Sequence, residues 1–93
     1  MTKEENKTMT ELFLWLYTAR GRKSEISRTY LEKEALRSYF HHILPKNKYP
    51  QAQFDPENII ILTIEEHDNV EIDMYRYEEI NKRRETLKRK YNI

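Results

Sequence analysis

Apolar residues along this chain fall into groups whose spacing changes from one to the next. Leu12, Phe13, Leu16 and Tyr17 recur at three-to-four-residue intervals, the signature of one helical face, while Leu14 and Trp15 leave that stripe. Thr8 stands three residues before Glu11, a capping-box spacing, so a helix is predicted from about Met9 to Arg20 with a stop near Gly21. The next segment, Ser24 to about Arg37, predicts a second helix capped by Ser24 or Ser27, with Ile26, Tyr30, Ala35 and Leu36 inward. Ser38 to Leu44 reads as a strand that Pro45 ends. Ile59 to Thr63 is a continuous β-favouring run bounded by the turn-forming Asp55-Pro56-Glu57-Asn58, and it predicts a short buried strand. Thr63 then precedes Glu66 at capping-box spacing, which starts a helix reaching about Ile72. A last helix, about Tyr75 to Tyr91, packs through Tyr77, Ile80, Leu87 and Tyr91 and turns Arg76, Lys82, Arg83, Arg84, Lys88, Arg89 and Lys90 to other faces.

Two strands among helices make the predicted class α+β. Ninety-three residues make one small domain, here divided into an N-terminal helical part (1–37), a central unit (38–72) and a basic C-terminal helix (73–93). The chain has no cysteine, which excludes disulfides and paired Cys-x-x-Cys zinc knuckles, so bracing must come from packing. The N-terminal residues carry no signal-peptide pattern, and the longest apolar run, Leu12 to Tyr17, is too short to span a bilayer. The expectation is a soluble cytoplasmic protein without membrane contact.

The formal net charge of +1 is unevenly spread. Residues 1–38 carry a net +2, residues 39–74 a net −5 and residues 75–93 a net +4. An acidic centre between basic flanks suits a protein that handles phosphate chains if the centre takes up a divalent cation. Solvated helix faces of alternating sign give the same count.

The chain's three histidines, His41, His42 and His67, all lie in one 27-residue stretch. Neighbours in a strand point to opposite faces, so His41 and His42 cannot do the same job, and one can face a metal while the other faces a water. An imidazole with an ordinary pKa of about 6.5 accepts a proton near neutral pH. Glu71 stands four residues after His67, on the same helical face. The loop from Pro45 to Asn58 is long and irregular, which in a small domain usually marks function or mobility.

In order, these residues give His-His, two further residues, a proline, a loop, Asp-x-x-Asn, a short apolar strand, and a histidine nine residues after the asparagine. That order resembles the HNH endonucleases of the His-Me finger (ββα-metal) superfamily. FDPENIIILTIEEH is similar to the corresponding segment of colicin DNase domains, and FHHILPKNKYP is similar to phage recombination nucleases of the HNH type. The likeness covers about residues 37 to 72 and finds no counterpart in either flank.

The resemblance implies a ββα-metal finger with a two-stranded antiparallel hairpin, flanked by the helices, and metal-dependent hydrolysis of DNA phosphodiester bonds to 5′-phosphate and 3′-hydroxyl ends. His42 would be the general base, His41 and His67 ligands of one divalent metal, and Asn58 the residue that holds the base and its loop. Where colicin-type domains can place a further histidine, this chain has Glu71, a candidate third ligand that shifts preference toward Mg²⁺ or Mn²⁺ rather than Zn²⁺ or Ni²⁺. Arg37 would either clamp the scissile phosphate or pair with a carboxylate. Lys46, Lys48, Lys82, Arg83, Lys88 and Arg89 are the candidate contacts to nucleic acid, expected to be double-stranded DNA. The setting implied is a bacterial or phage-infected cell. The N-terminal helix is either a hydrophobic prop or a homodimer contact. The alternative reading is a catalytically inactive HNH-fold module that binds DNA or another partner.

Overall fold

The computed structural model describes residues 3–93, with side chains from residue 9 onward. Five regular elements form in the order α1 (Lys3–Ala19), β1 (Phe40–His42), β2 (Ile59–Ile61), α2 (Ile64–Ile72) and α3 (Glu78–Tyr91), with 3-10 turns at Arg37–Tyr39, Pro50–Ala52 and Pro56–Asn58. This is a small α+β architecture of three helices around a two-stranded antiparallel hairpin. No helix among the described residues is long and apolar enough to cross a membrane.

The hairpin sets everything else. Phe40 faces Ile61, His41 faces Ile60 and His42 faces Ile59, and the ladder continues through Leu62 N–H to the Tyr39 carbonyl (2.8 Å) and Ile43 N–H to the Asn58 carbonyl (2.8 Å). Because strand side chains alternate, each strand feeds two cores. Ile60 and Leu62 pack with Ile43, Leu44, Val70 of α2, and Ile80 and Leu87 of α3. Ile59 and Ile61 pack on the opposite side with Phe40, Tyr39, and Leu16 and Tyr17 of α1. All-apolar β2 is therefore buried on both faces, each isoleucine contributing roughly 1.5–3 kcal/mol. On the α1 side Phe13 and Phe40 stack with ring centroids 4.4 Å apart. The expected α1 stripe is the inward one, with Leu16 and Tyr17 buried and Leu12 and Phe13 partly so, and Leu14 and Trp15 are exposed.

A two-stranded sheet leaves β2 with an open edge, and side chains close it. Glu25 N–H donates to the Ile61 carbonyl (2.9 Å) and Ile61 N–H donates to Glu25 Oε2 (2.7 Å). Arg20 Nη1 donates to the Ile59 carbonyl (2.6 Å), and Arg20 and Arg83 both pair with Glu25, at 2.9 and 3.0 Å. Glu25→Ala removes the acceptor for Ile61 and leaves two guanidinium groups without their shared partner. A loss of about 2 kcal/mol in urea denaturation is expected; an unchanged midpoint would mean that water already solvates this edge.

That edge also explains why no helix forms over residues 24–37. Ser24 does act as a cap: its Oγ accepts from Ile26 N–H (3.0 Å) and Ser27 N–H (3.1 Å), and donates to Glu66 Oε1 (2.6 Å). The chain then reverses instead of winding on, with Arg28 at a φ of 64° and a bridge between Lys23 and Tyr30. A helix there would pull Glu25 off β2. The segment instead runs on to lay Leu31 and Ala35 against the α1-side core, where the Tyr17 hydroxyl donates to the Glu32 carbonyl. Tyr30 and Leu36, expected inward, are exposed.

Other expectations hold with shifted ends. Helix α1 starts at Lys3, so Thr8 lies inside it and is not its cap. The capping box of α2 is present in both halves, with Glu66 N–H donating to Thr63 Oγ1 (3.0 Å) and Thr63 N–H to Glu66 Oε1 (2.8 Å). Helix α3 starts at Glu78 rather than Tyr75 and ends on Asn92 in the left-handed conformation.

Candidate metal centre and its basic surroundings

Register decides which histidine looks which way. His41 shares the Ile60 side of the hairpin, toward α2; His42 shares the Ile59 side, its ring centroid 6.0 Å from that of Phe13. The capping box fixes where α2 begins, which sets His67 in its first turns, with Glu71 one turn on. His41 and His67 rings meet edge to face at 5.3 Å, and His67 Nε2 lies 3.3 Å from Glu71 Oε1. Ligand atoms of His41, His67 and Glu71 all fall within 4.8 Å of one another. Two imidazoles and a carboxylate, converging from a strand and a helix, are a chemically sound set for a divalent cation. These three residues and His42 line one cleft of about 650 Å³, which Lys46 and Arg84 also reach.

Burial favours the neutral ring at both His41 and His42. Burial, then the neighbouring His67, His42 and Arg84, push His41 down to about 4 from the ordinary 6.5. His42 is lowered too, first by burial and also by Lys46, against a hydrogen bond that favours its charged form. That bond joins His42 Nε2 to the Gln53 carbonyl at 3.0 Å. A carbonyl only accepts, so Nε2 carries the proton and Nδ1 of the neutral ring is left with a free lone pair.

Asn58 anchors the loop one residue before Gln53, through the Ala52 carbonyl. It is fully buried; its Oδ1 accepts from Leu44 N–H (2.7 Å), and its Nδ2 donates to the carbonyls of Leu44 (3.0 Å) and Ala52 (3.1 Å). Three bonds thus tie the end of β1 and the middle of the loop to one side chain. Farther along the loop, Asp55 receives Lys90 Nζ and the Tyr91 hydroxyl, both at 2.7 Å, which pins the end of α3 to it.

Comparison with protein-family models, with curated proteins and with solved structures finds no match to this chain. The site therefore stands on its own geometry.

Of the residues singled out in the sequence, the structure gathers His41, His42, His67, Glu71 and Lys46 at one cleft and buries Asn58 against Leu44 and Ala52. Arg37 is exposed and lines a neighbouring depression with Thr10, Phe13 and Phe40, Phe40 being shared with the histidine cleft. Lys48 is exposed, its ammonium 5.7 Å from the Tyr49 ring centroid. Lys82 and Arg83 line a separate cleft with Glu25 and Arg28, and Arg83 is committed to Glu25. Lys88 lies 4.0 Å from Glu85, and Arg89 is exposed. Two contributors escaped the sequence reading. The Gln53 carbonyl is a backbone group with no sequence signal. Arg84 had one: it bridges the gap between Ile80 and Leu87 in the packing stripe of α3, and it is buried there instead of facing solvent.

A pH prediction follows for the metal-free protein. An unfolded His41 binds a proton below pH 6.5, whereas in the fold it does so only near pH 4. Between those values the unfolded state holds more protons, so stability falls as pH falls, by up to about 3 kcal/mol. Urea denaturation in EDTA from pH 7 to pH 4 checks this, and His41→Phe should flatten the slope; equal slopes in both proteins would assign the loss elsewhere.

Proposed function

We propose that this protein is a metal-dependent endonuclease of the HNH type that hydrolyses DNA phosphodiester bonds, with His42 as general base. The observation that carries this reading is the placement of an oriented, neutral imidazole beside a converging His-His-Glu set, the two on opposite sides of one hairpin. Hydrolysis requires a water made nucleophilic, positive charge against the charge that develops on the phosphoryl oxygens, and stabilisation of the departing 3′ oxygen.

His42 supplies the first. With its Nε2 proton donated to Gln53, its Nδ1 can take a proton from a water, and burial keeps the ring in the neutral form that can do so near neutral pH. Asn58 holds the adjacent Ala52 carbonyl and would thereby steady the Gln53 carbonyl and the ring bonded to it. His41, His67 and Glu71 would hold the cation, and burial keeps His41's lone pair free for it. When bound, a divalent cation there supplies positive charge to the phosphoryl oxygens and the leaving oxygen. Lys46, exposed and lining the cleft, would meet a phosphate of the chain.

The test is plasmid nicking by the purified protein, comparing EDTA with Mg²⁺, Mn²⁺, Ni²⁺ and Zn²⁺. Cleavage with Mg²⁺ or Mn²⁺ that EDTA abolishes is the expected result. A protein that shifts DNA in a gel but cuts it with none of these metals would instead be a non-catalytic binding module.

A further inference from the structure

Arg84 is buried, 3 % exposed, in the middle of a helix whose other cations face outward or pair at the surface. Its Nη1 donates to Asn81 Oδ1 (2.8 Å) and its Nη2 to the Met74 carbonyl (2.7 Å), and the guanidinium lies 5.2 Å from the Tyr75 ring centroid. Its Nε–H has no partner, and no ion pair to it forms among the described residues. An arginine stays protonated at any ordinary pH, so this is a buried positive charge with one guanidinium nitrogen unpaired and no counter-ion among the described residues. It borders the same cleft as His41, His67 and Glu71.

A fixed cation at this place is unfavourable twice over. It is itself poorly compensated, and it repels the divalent ion that the histidines and Glu71 would hold. An anion in the cleft between the two positive centres would lower both costs. We propose that Arg84 is a phosphate-binding residue of this site, whose guanidinium takes a non-bridging oxygen of the phosphodiester that the metal set also engages. The inference rests on the nuclease reading and adds to it a defined phosphate contact from α3, together with a consequence: metal and DNA bind cooperatively, and Arg84 lowers metal affinity in the free protein. The two hydrogen bonds to Asn81 and Met74 give Arg84 a structural role as well; were that its only role, Arg84→Gln would cost stability without altering that coupling.

Calorimetric titration of Mn²⁺ separates these. In a His42→Ala background, which should leave DNA uncut, Mn²⁺ is titrated into the protein alone and with a saturating short DNA duplex. The duplex should tighten Mn²⁺ binding by about tenfold or more. With Arg84→Gln added, Mn²⁺ should bind the free protein more tightly than before, and tightening by duplex should shrink to about twofold or less. A second readout needs no change at Arg84: the Arg84 Nε–Hε resonance in a ¹⁵N-labelled His42→Ala protein should move when duplex and Mn²⁺ are present together. Equal coupling with and without Arg84→Gln, or an Arg84 resonance indifferent to the duplex, would overturn the proposal and leave the nuclease reading intact. No Mn²⁺ binding in either background would instead remove the metal-dependent nuclease reading, and this inference with it.

Discussion

His42→Ala is expected to lower metal-dependent plasmid cleavage by about 10²- to 10⁴-fold, the usual contribution of a positioned general base, while Mn²⁺ binding persists. The two effects separate because the hairpin register separates the residues. His42 points to the Ile59 side and lies outside the converging set of His41, His67 and Glu71. Removing its ring takes away Nδ1 as proton acceptor and leaves all three candidate ligands in place. The cost to the fold is small, since His42 is only half-buried and makes one hydrogen bond, to Gln53. His67→Ala gives the complementary result, losing metal binding and cleavage together. Nicking assays and Mn²⁺ titrations on the two variants decide the assignment. Full cleavage by His42→Ala would move the base to another residue, and loss of Mn²⁺ binding in that variant would make His42 a ligand instead.

Asn58→Ala should destabilise the protein by about 3–5 kcal/mol, a large share of the roughly 5–14 kcal/mol that holds a domain of this size folded. The side chain is at 0 % exposure and serves three backbone groups; its loss would leave the Leu44 N–H and carbonyl buried without a partner and the Ala52 carbonyl with only Asp55 N–H (3.2 Å). Asn58→Asp keeps the size and the acceptor toward Leu44 N–H, but turns a second oxygen toward the carbonyls of Leu44 and Ala52. Two acceptors would then face an acceptor, and the negative charge would sit in a dry site, so this variant should be no more stable than the alanine. Both should also lose cleavage out of proportion to the fraction unfolded, because the Ala52 bond sits next to the Gln53 carbonyl that fixes the His42 ring. Urea denaturation with nicking assays at low temperature, where the folded fraction is highest, checks both parts. Wild-type activity in a folded Asn58→Ala protein would show that the loop keeps its shape without this staple.

Both expectations start from residues that could be picked out in the sequence, and local chemistry is the reason. The Thr63–Glu66 box and the all-isoleucine run of β2 each act over three or four residues, so their outcome is written in adjacent side chains, whereas β1 is shorter than the expected Ser38–Leu44 and ends at His42, before Pro45. Strand alternation likewise separates His41 from His42, and helix periodicity puts Glu71 over His67. The sequence by itself thus determined the hairpin, α2, and the identity of the converging residues.

Tertiary structure decided the rest. Residues 24–37 carry a good cap and helix-compatible side chains, but Glu25 and Ser24 are worth more at the open edge of β2 and on Glu66 than in a helix of their own. That competition involves partners 36 and 42 residues away, beyond any local window. The same holds for the loop, where a backbone carbonyl of Gln53 orients His42 only because Asn58 and the fold bring it there. It holds again for the cations of α3. Composition gave their number, but docking of the helix through Ile80 and Leu87 sent Arg84 into the histidine cleft and Arg83 to Glu25. Charge has no sequence periodicity that says what it will face, because its partner is chosen by long-range packing and not by its neighbours.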